Sequence, residues 1–141
     1  MICDRRGNPL WFTLTPGNIH DATAFSKCFE SFLIRMNRMG WRVRLRFLVG
    51  DKGYDSSDIL AICRRHDIEP VIPKRKTPQG KERPNPGFDK AKYRCRNVVE
   101  RCIGGHKEQR RIAMRFDKLA ETYAGMINLG SIRRLLRVVA A

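Results

Sequence analysis

Two acidic residues of this chain stand where a carboxylate can do chemistry. Asp51 follows Arg44-Leu45-Arg46-Phe47-Leu48-Val49-Gly50, a run that alternates and then turns apolar, as a strand entering an interior does. It therefore lies at the C-terminal tip of that strand, just ahead of Lys52-Gly53-Tyr54-Asp55. Glu100 lies in a segment that reads as one helix from Lys92 to about Arg111. With Tyr93 at zero on a wheel of about 100° per residue, Arg96, Glu100, Lys107 and Arg111 fall within about 60° of it. Cys95, Val98, Cys102 and Ala113 take the opposite side, flanked by Val99 and Ile103. A carboxylate set among cations and a phenol suits work beside phosphates, the cations gripping the backbone while the acid holds a metal ion. Ordinary i,i+4 pairing on a solvated face accounts for Glu100 as well. A turn or N-cap role does the same for Asp51.

The elements that must position these residues are legible in outline. Asp4-Arg5-Arg6-Gly7-Asn8-Pro9 is a turn cluster between Ile2-Cys3 and an aromatic, β-branched strand from Leu10 to Thr15, which predicts a hairpin. Asp21 is placed to cap a helix carrying Phe25, Cys28, Phe29, Phe32 and Leu33 at three- and four-residue spacing, with Gly40 ending it. Ser56 or Ser57 caps a second helix with Ile59, Leu60, Ile62 and Cys63 on its apolar side, Asp55 and Asp58 reading as helix-start residues. Asp67 leads into a short strand from Glu69 to Pro73, and the alternation of strands and helices is that of an α/β fold. Lys74 to Lys90 holds Pro78, Pro84, Pro86, Gly80 and Gly87 among Lys and Arg, a basic loop or mobile insertion at 74–90. One or two further helices follow from Lys118 to Val138.

Charge narrows the partner. The 141 residues carry 29 Lys and Arg against 14 Asp and Glu, a formal +15, which concentrates polyanions near the surface and points to nucleic acid ahead of membrane headgroups. Thirteen of those cations and only four acids lie between Lys74 and Arg111, a local excess of +9 beside the helix bearing Glu100. No run of about 18 apolar residues is present to span a bilayer. The first residues have no apolar stretch behind their charges, as a signal peptide would. The five cysteines are odd in number and never spaced C-x-x-C, which suits free thiols in a reducing cytoplasm. Cys95, Cys102 and His106 share one helix face but lack a fourth ligand for a structural metal.

Tyr93-x2-Arg96-x3-Glu100-x6-Lys107 matches each fixed position of the Y-(2)-R-(3)-E-(6)-K signature of IS4/IS5-type DDE transposases. Gly50-Asp51-Lys52-Gly53-Tyr54-Asp55 resembles the block holding that family's second catalytic Asp. Gly7-Asn8-Pro9-Leu10, Thr15-Pro16-Gly17-Asn18-Ile19-His20-Asp21 and Glu69-Pro70-Val71-Ile72-Pro73 resemble its neighbouring stretches in order, as does the tail from Arg110 to Leu119. The chain thus resembles the C-terminal part of an IS5-type enzyme over nearly its whole length.

The resemblance implies an RNase H-like α/β fold, a mixed five-stranded sheet flanked by helices and here N-terminally truncated, with 1–141 forming one partial catalytic domain. It implies metal-dependent DNA strand cleavage and strand transfer in transposition, with Asp51 and Glu100 as catalytic residues and ligands of Mg²⁺ or Mn²⁺. Tyr93, Arg96 and Lys107 would contact DNA. Family members carry their first catalytic Asp upstream of the position matching Met1, and Asp4, in a turn, is no replacement. The expectation is a chain poorly folded and inactive alone, either the second frame of a frameshifted element or a decayed copy. The glycines Gly104-Gly105 weaken the helix and put Lys107 in question. Its partners would be DNA at the element ends and target, and a transposase oligomer or the product of the upstream frame, on the nucleoid in the cytoplasm. A non-enzymatic basic nucleic-acid-binding protein, or an inhibitory partner of an intact transposase, are the competing expectations.

Overall fold

The structure, a computed structural model, describes residues 1–40, 45–81 and 83–140, without the side chain of Asp21. It forms two compact units, one of Met1–Leu14 with Asn97–Ala141 and one of Thr15–Arg96.

In the first unit, β1 (Ile2–Cys3) pairs antiparallel with β2 (Pro9–Trp11), shorter than the strand expected to reach Thr15. Asp4 builds the turn between them. Its Oδ1 accepts from the amides of Arg6 and Asn8, both at 2.8 Å, and its Oδ2 from Asn8 Nδ2 at 2.9 Å. Gly7 takes a positive φ of 83°, which a side chain would disfavour. Helices α4 (Asn97–Lys107), α5 (Arg110–Met114) and α6 (Ala120–Val139) complete this unit. Val98, Cys102, Ile112 and Ile127 are buried among them. The imidazole of His106, also buried, joins two helices: Nδ1 lies 2.9 Å from Cys102 O and Nε2 3.0 Å from Ser131 Oγ. Gly130 permits this approach, since a Cβ there would meet Gln109 Nε2 at 2.7 Å and His106 Cδ2 at 3.1 Å. The tail expected as one or two helices is one.

In the second unit, α1 (Asp21–Arg38) buries Cys28, Phe29 and Phe32 as its periodicity predicts. Its N-cap is His20, whose Nδ1 accepts from Ala22 N at 3.2 Å, and not Asp21, which is the first helical residue. β3 (Phe47–Val49) and β4 (Glu69–Val71) pair in parallel, joined through α2 (Ser57–Arg65). The expected start of β3 at Arg44 lies outside the described residues. Ser56 proves to be the α2 cap, its Oγ accepting from Ile59 N at 3.3 Å. Ile59, Ile62 and Cys63 face a core completed by Ile68, Val71 and Ile72. Burial pushes the Cys63 thiol up to about 11, so it is neutral filler. All five cysteines are free.

One antiparallel and one parallel pairing, with helices, make a mixed α/β protein. Among the described residues the strands form two two-stranded sheets. The long helix expected from Lys92 to Arg111 is broken. α3 (Lys90–Tyr93) runs into a 3-10 turn at Arg94–Arg96 before α4 begins, and α5 is separate again. No helix is long and apolar enough to cross a membrane among the described residues.

Candidate active site

Asp51 is exposed at the foot of β3, two residues past its last strand residue. Its carboxylate caps the 3-10 turn Lys52–Tyr54, Oδ1 accepting from Gly53 N at 2.7 Å. The expected strand-tip placement holds, and the cap role holds with it. The turn is held from α1: the Tyr54 ring meets Phe25 edge-on at 5.3 Å, and Phe25 stacks on Phe29 at 5.5 Å. Gly50 makes room for this ring, since a Cβ there would lie 3.3 Å from Tyr54 Cδ2. A rail of aromatic side chains on α1 thereby fixes the peptide that presents Asp51.

Asp55 is not a helix-start residue. Its carboxyl, 5% exposed, receives Lys74 Nζ at 3.0 Å, Arg75 N at 2.9 Å and Arg83 Nη1 at 3.7 Å. Burial opposes its charge, and the Arg75 amide, Lys74 and Arg83 outweigh burial and hold the carboxyl below its ordinary range. Arg75 also donates through Nε to Lys52 O at 3.0 Å and through Nη2 to Gly53 O. The basic stretch, expected as a loop or mobile insertion, is thus tied to the turn after Asp51. Asn85 Nδ2 adds a bond to Ile72 O at 3.3 Å. Among its described residues the loop has no helix or strand before α3, as its composition predicts. Asp58 does lie in the first turn of α2.

Tyr93 closes α3. Its ring packs against Phe88 at 5.1 Å, and the Arg96 guanidinium lies over it at 5.9 Å. The structure therefore brings Tyr93 and Arg96 together. Lys92, counted above in the cationic stretch, is committed elsewhere: its Nζ meets Glu69 Oε2 at 2.6 Å and Asp89 Oδ2 at 3.5 Å. The hydrogen bond to Glu69 holds its ammonium pKa above the ordinary value.

Glu100 and Lys107 both lie on α4, exposed and seven residues apart, which puts them on one face two turns from each other. Gly104 and Gly105 stay helical, so Lys107 keeps its place. Arg111, on α5, and Tyr93 and Arg96, before α4, do not belong to that helix, so the five residues drawn on a single wheel are not carried by one α-helix. The buried back of α4 is Val98, Cys102 and His106. Asp51, Tyr93 and Arg96 belong to one unit and Glu100 and Lys107 to the other. Among the described residues no three His, Cys, Asp or Glu side chains converge as a metal site, the suggested Cys95, Cys102 and His106 included.

Comparison with known proteins decides the family. The model of the transposase DDE domain matches residues 1–130. The chain belongs to the transposase DDE domain family. A relative in Burkholderia cepacia, described as "Putative transposase for insertion sequence element IS402", is 33% identical over 131 residues. That stretch is 92% of this chain and 58% of the relative, so the chain spans somewhat more than half the length of the transposase it matches. No solved structure matches the chain. Membership fits the two exposed carboxylates and the cationic loop beside one of them. What sequence alone misses is Asp55, whose partners lie 19 or more residues ahead and leave no local signature.

Proposed function

We propose that the chain is the catalytic portion of an IS5-type insertion-sequence transposase, in which Asp51 and Glu100 together hold Mg²⁺ or Mn²⁺ against a DNA backbone. The observation that carries this is the presentation of Asp51: an exposed carboxylate on an aromatic-braced turn, with one oxygen held by an amide and the basic loop pinned alongside. The donor set fits a hard cation, since carboxylate oxygens are what Mg²⁺ and Mn²⁺ prefer. Bound there, such an ion would activate the attacking water or 3′-hydroxyl and stabilise the departing oxygen. The Gly53 amide fixes Asp51 Oδ1 and so orients the carboxylate. Lys107, on the Glu100 face of α4, and Arg96, stacked on Tyr93, are suited to phosphate contacts that position the duplex. The hairpin and the parallel β3–α2–β4 unit are parts that an RNase H-like sheet would use.

The test is made in the element itself, with the reading frame in its own place. Transposition of a marked copy should fall to background in Asp51→Asn and Glu100→Gln and persist in Asp58→Asn. Wild-type frequencies in either of the first two variants would defeat the proposal. Retained duplex binding with no Mg²⁺-dependent nicking in the unsubstituted protein would favour a non-enzymatic DNA-binding role instead.

A further inference from the structure

Gly53 is bonded on both sides of its residue. Its amide donates to Asp51 Oδ1 at 2.7 Å, and its carbonyl accepts from the Arg75 guanidinium. A Cβ there would sit 2.8 Å from Asp51 Oδ1, so nothing but glycine fits without displacing that carboxylate. Arg75 is the residue whose own amide is fixed by Asp55. A continuous chain of bonds therefore runs from Asp55 through Arg75 and Gly53 to Asp51. Lys74 and Arg83 converge on the same Asp55 carboxyl from both ends of the loop's basic arm. Three of the loop's cations are in this way engaged with the protein's own carboxyl and carbonyl groups.

We propose that Asp55 is a positioning residue: it clamps the Lys74–Arg83 arm of the basic loop onto the Lys52–Tyr54 turn, and so sets the orientation of Asp51 and of the loop's outward-facing cations toward a DNA backbone. The clamp is read from contacts within one compact unit; its effect on DNA cleavage rests on the function proposed above. Asp55→Asn removes the charge that gathers Lys74 and Arg83, yet raises the net charge of the protein by one. It should therefore leave the attraction for duplex DNA intact while loosening the geometry around Asp51.

Two readouts separate these effects. Limited trypsin digestion of the full chain should cut between Lys74 and Lys81 about fivefold faster or more in Asp55→Asn than in the unsubstituted protein, with Asp58→Asn unchanged. Equal protection in Asp55→Asn overturns the clamp. For nicking of element-end duplex by the transposase, kcat should fall about tenfold with KM for DNA within about twofold. A raised KM at constant kcat overturns the positioning role, since that marks a residue serving only DNA affinity. Should Asp55→Asn fail to purify folded, Arg75→Ala, at an exposed position, carries the same two readouts, and Arg75→Lys should not rescue it because an ammonium cannot bridge both carbonyls. If Asp51→Asn retains full nicking, the function proposed above fails while the digestion result still judges the clamp.

Discussion

His106 Nε2 lies 3.0 Å from Ser131 Oγ, a bond that fastens α4 to α6 inside the first unit. The other ring nitrogen faces Cys102 O at 2.9 Å, and a carbonyl only accepts, so Nδ1 carries the proton. Nε2 faces the Ser131 hydroxyl, whose single proton is also offered to Ile127 O at 2.9 Å. Ser131→Ala removes the hydroxyl that faces this buried nitrogen and should lower unfolding free energy by about 1–2 kcal/mol. Urea denaturation checks this; an unchanged midpoint would show that the bond contributes nothing net.

The glycines of α4 and α6 should respond oppositely to alanine. Gly104 has open space where a Cβ would go and sits within a helix, so Gly104→Ala should stabilise by up to about 1 kcal/mol. At Gly130 a Cβ would press on His106 Cδ2 at 3.1 Å, and that ring is pinned at both nitrogens. Gly130→Ala should cost about 1 kcal/mol or more despite the same gain in helix propensity. Thermal melts of the two variants, read against the parent, give the signs.

Acid should release the basic loop ahead of the core. Asp55 has its carboxyl held below the ordinary 3.8, so its charged form adds stability at pH values above 3.8, and that contribution is lost as pH falls through the lower folded value. The groups facing it are Lys74, Arg83 and the amide of Arg75. Hydrogen exchange corrected for intrinsic rate should show the Arg75 amide losing protection below pH 3.8 while α2 amides such as Leu60 keep theirs. In Asp55→Asn that step should vanish.

Asp51→Asn offers a clean separation of charge from structure. Asn caps as well as Asp, so the bond to Gly53 N survives and stability should change by less than about 0.5 kcal/mol. DNA nicking should nonetheless fall about 100-fold or more, because an amide is a poor ligand for a hard divalent ion. A matched loss of stability and activity would point to the cap role alone.

Lys107→Ala should weaken duplex binding uniformly across sequences and lower the slope of log K against log salt by about 1, as loss of one phosphate contact does. A fluorescence titration at several salt concentrations measures it. An unchanged slope would remove Lys107 from the DNA surface.

The amphipathic helices were legible because their signal is local: Cys28, Phe29 and Phe32 on α1, and Ile59 with Ile62 on α2, recur at helical spacing and are buried where that spacing puts them. So was the hairpin turn, whose Asp4, Gly7 and Asn8 carry their own bonds. The break at Arg94–Arg96 has no Pro or Gly to announce it, and the wheel drawn through it failed. Gly104-Gly105 announced a weakness that tertiary packing overrode, with Arg134 Nη1 lying 3.0 Å from where a Cβ of Gly105 would be. His20 took a cap that Asp21 was expected to fill, through a ring nitrogen that propensity rules rank low. For the candidate site, Asp51 and Glu100 were singled out by their settings in sequence. Asp55 escaped because its meaning lies in Lys74 and Arg83, far along the chain.

Pro70 gives the parallel pair a direction of growth. Glu69 N donates to Arg46 O and Gly50 N to Val71 O, so the odd-numbered residues of β4 turn their peptide groups toward β3 and Pro70 faces the outer rim. Proline has no amide hydrogen to offer there. A strand seeking a full ladder on that rim meets a missing donor, whereas Phe47 and Val49 on the opposite margin keep their amides. A single imino acid thus blunts one side of the pair against stray self-association.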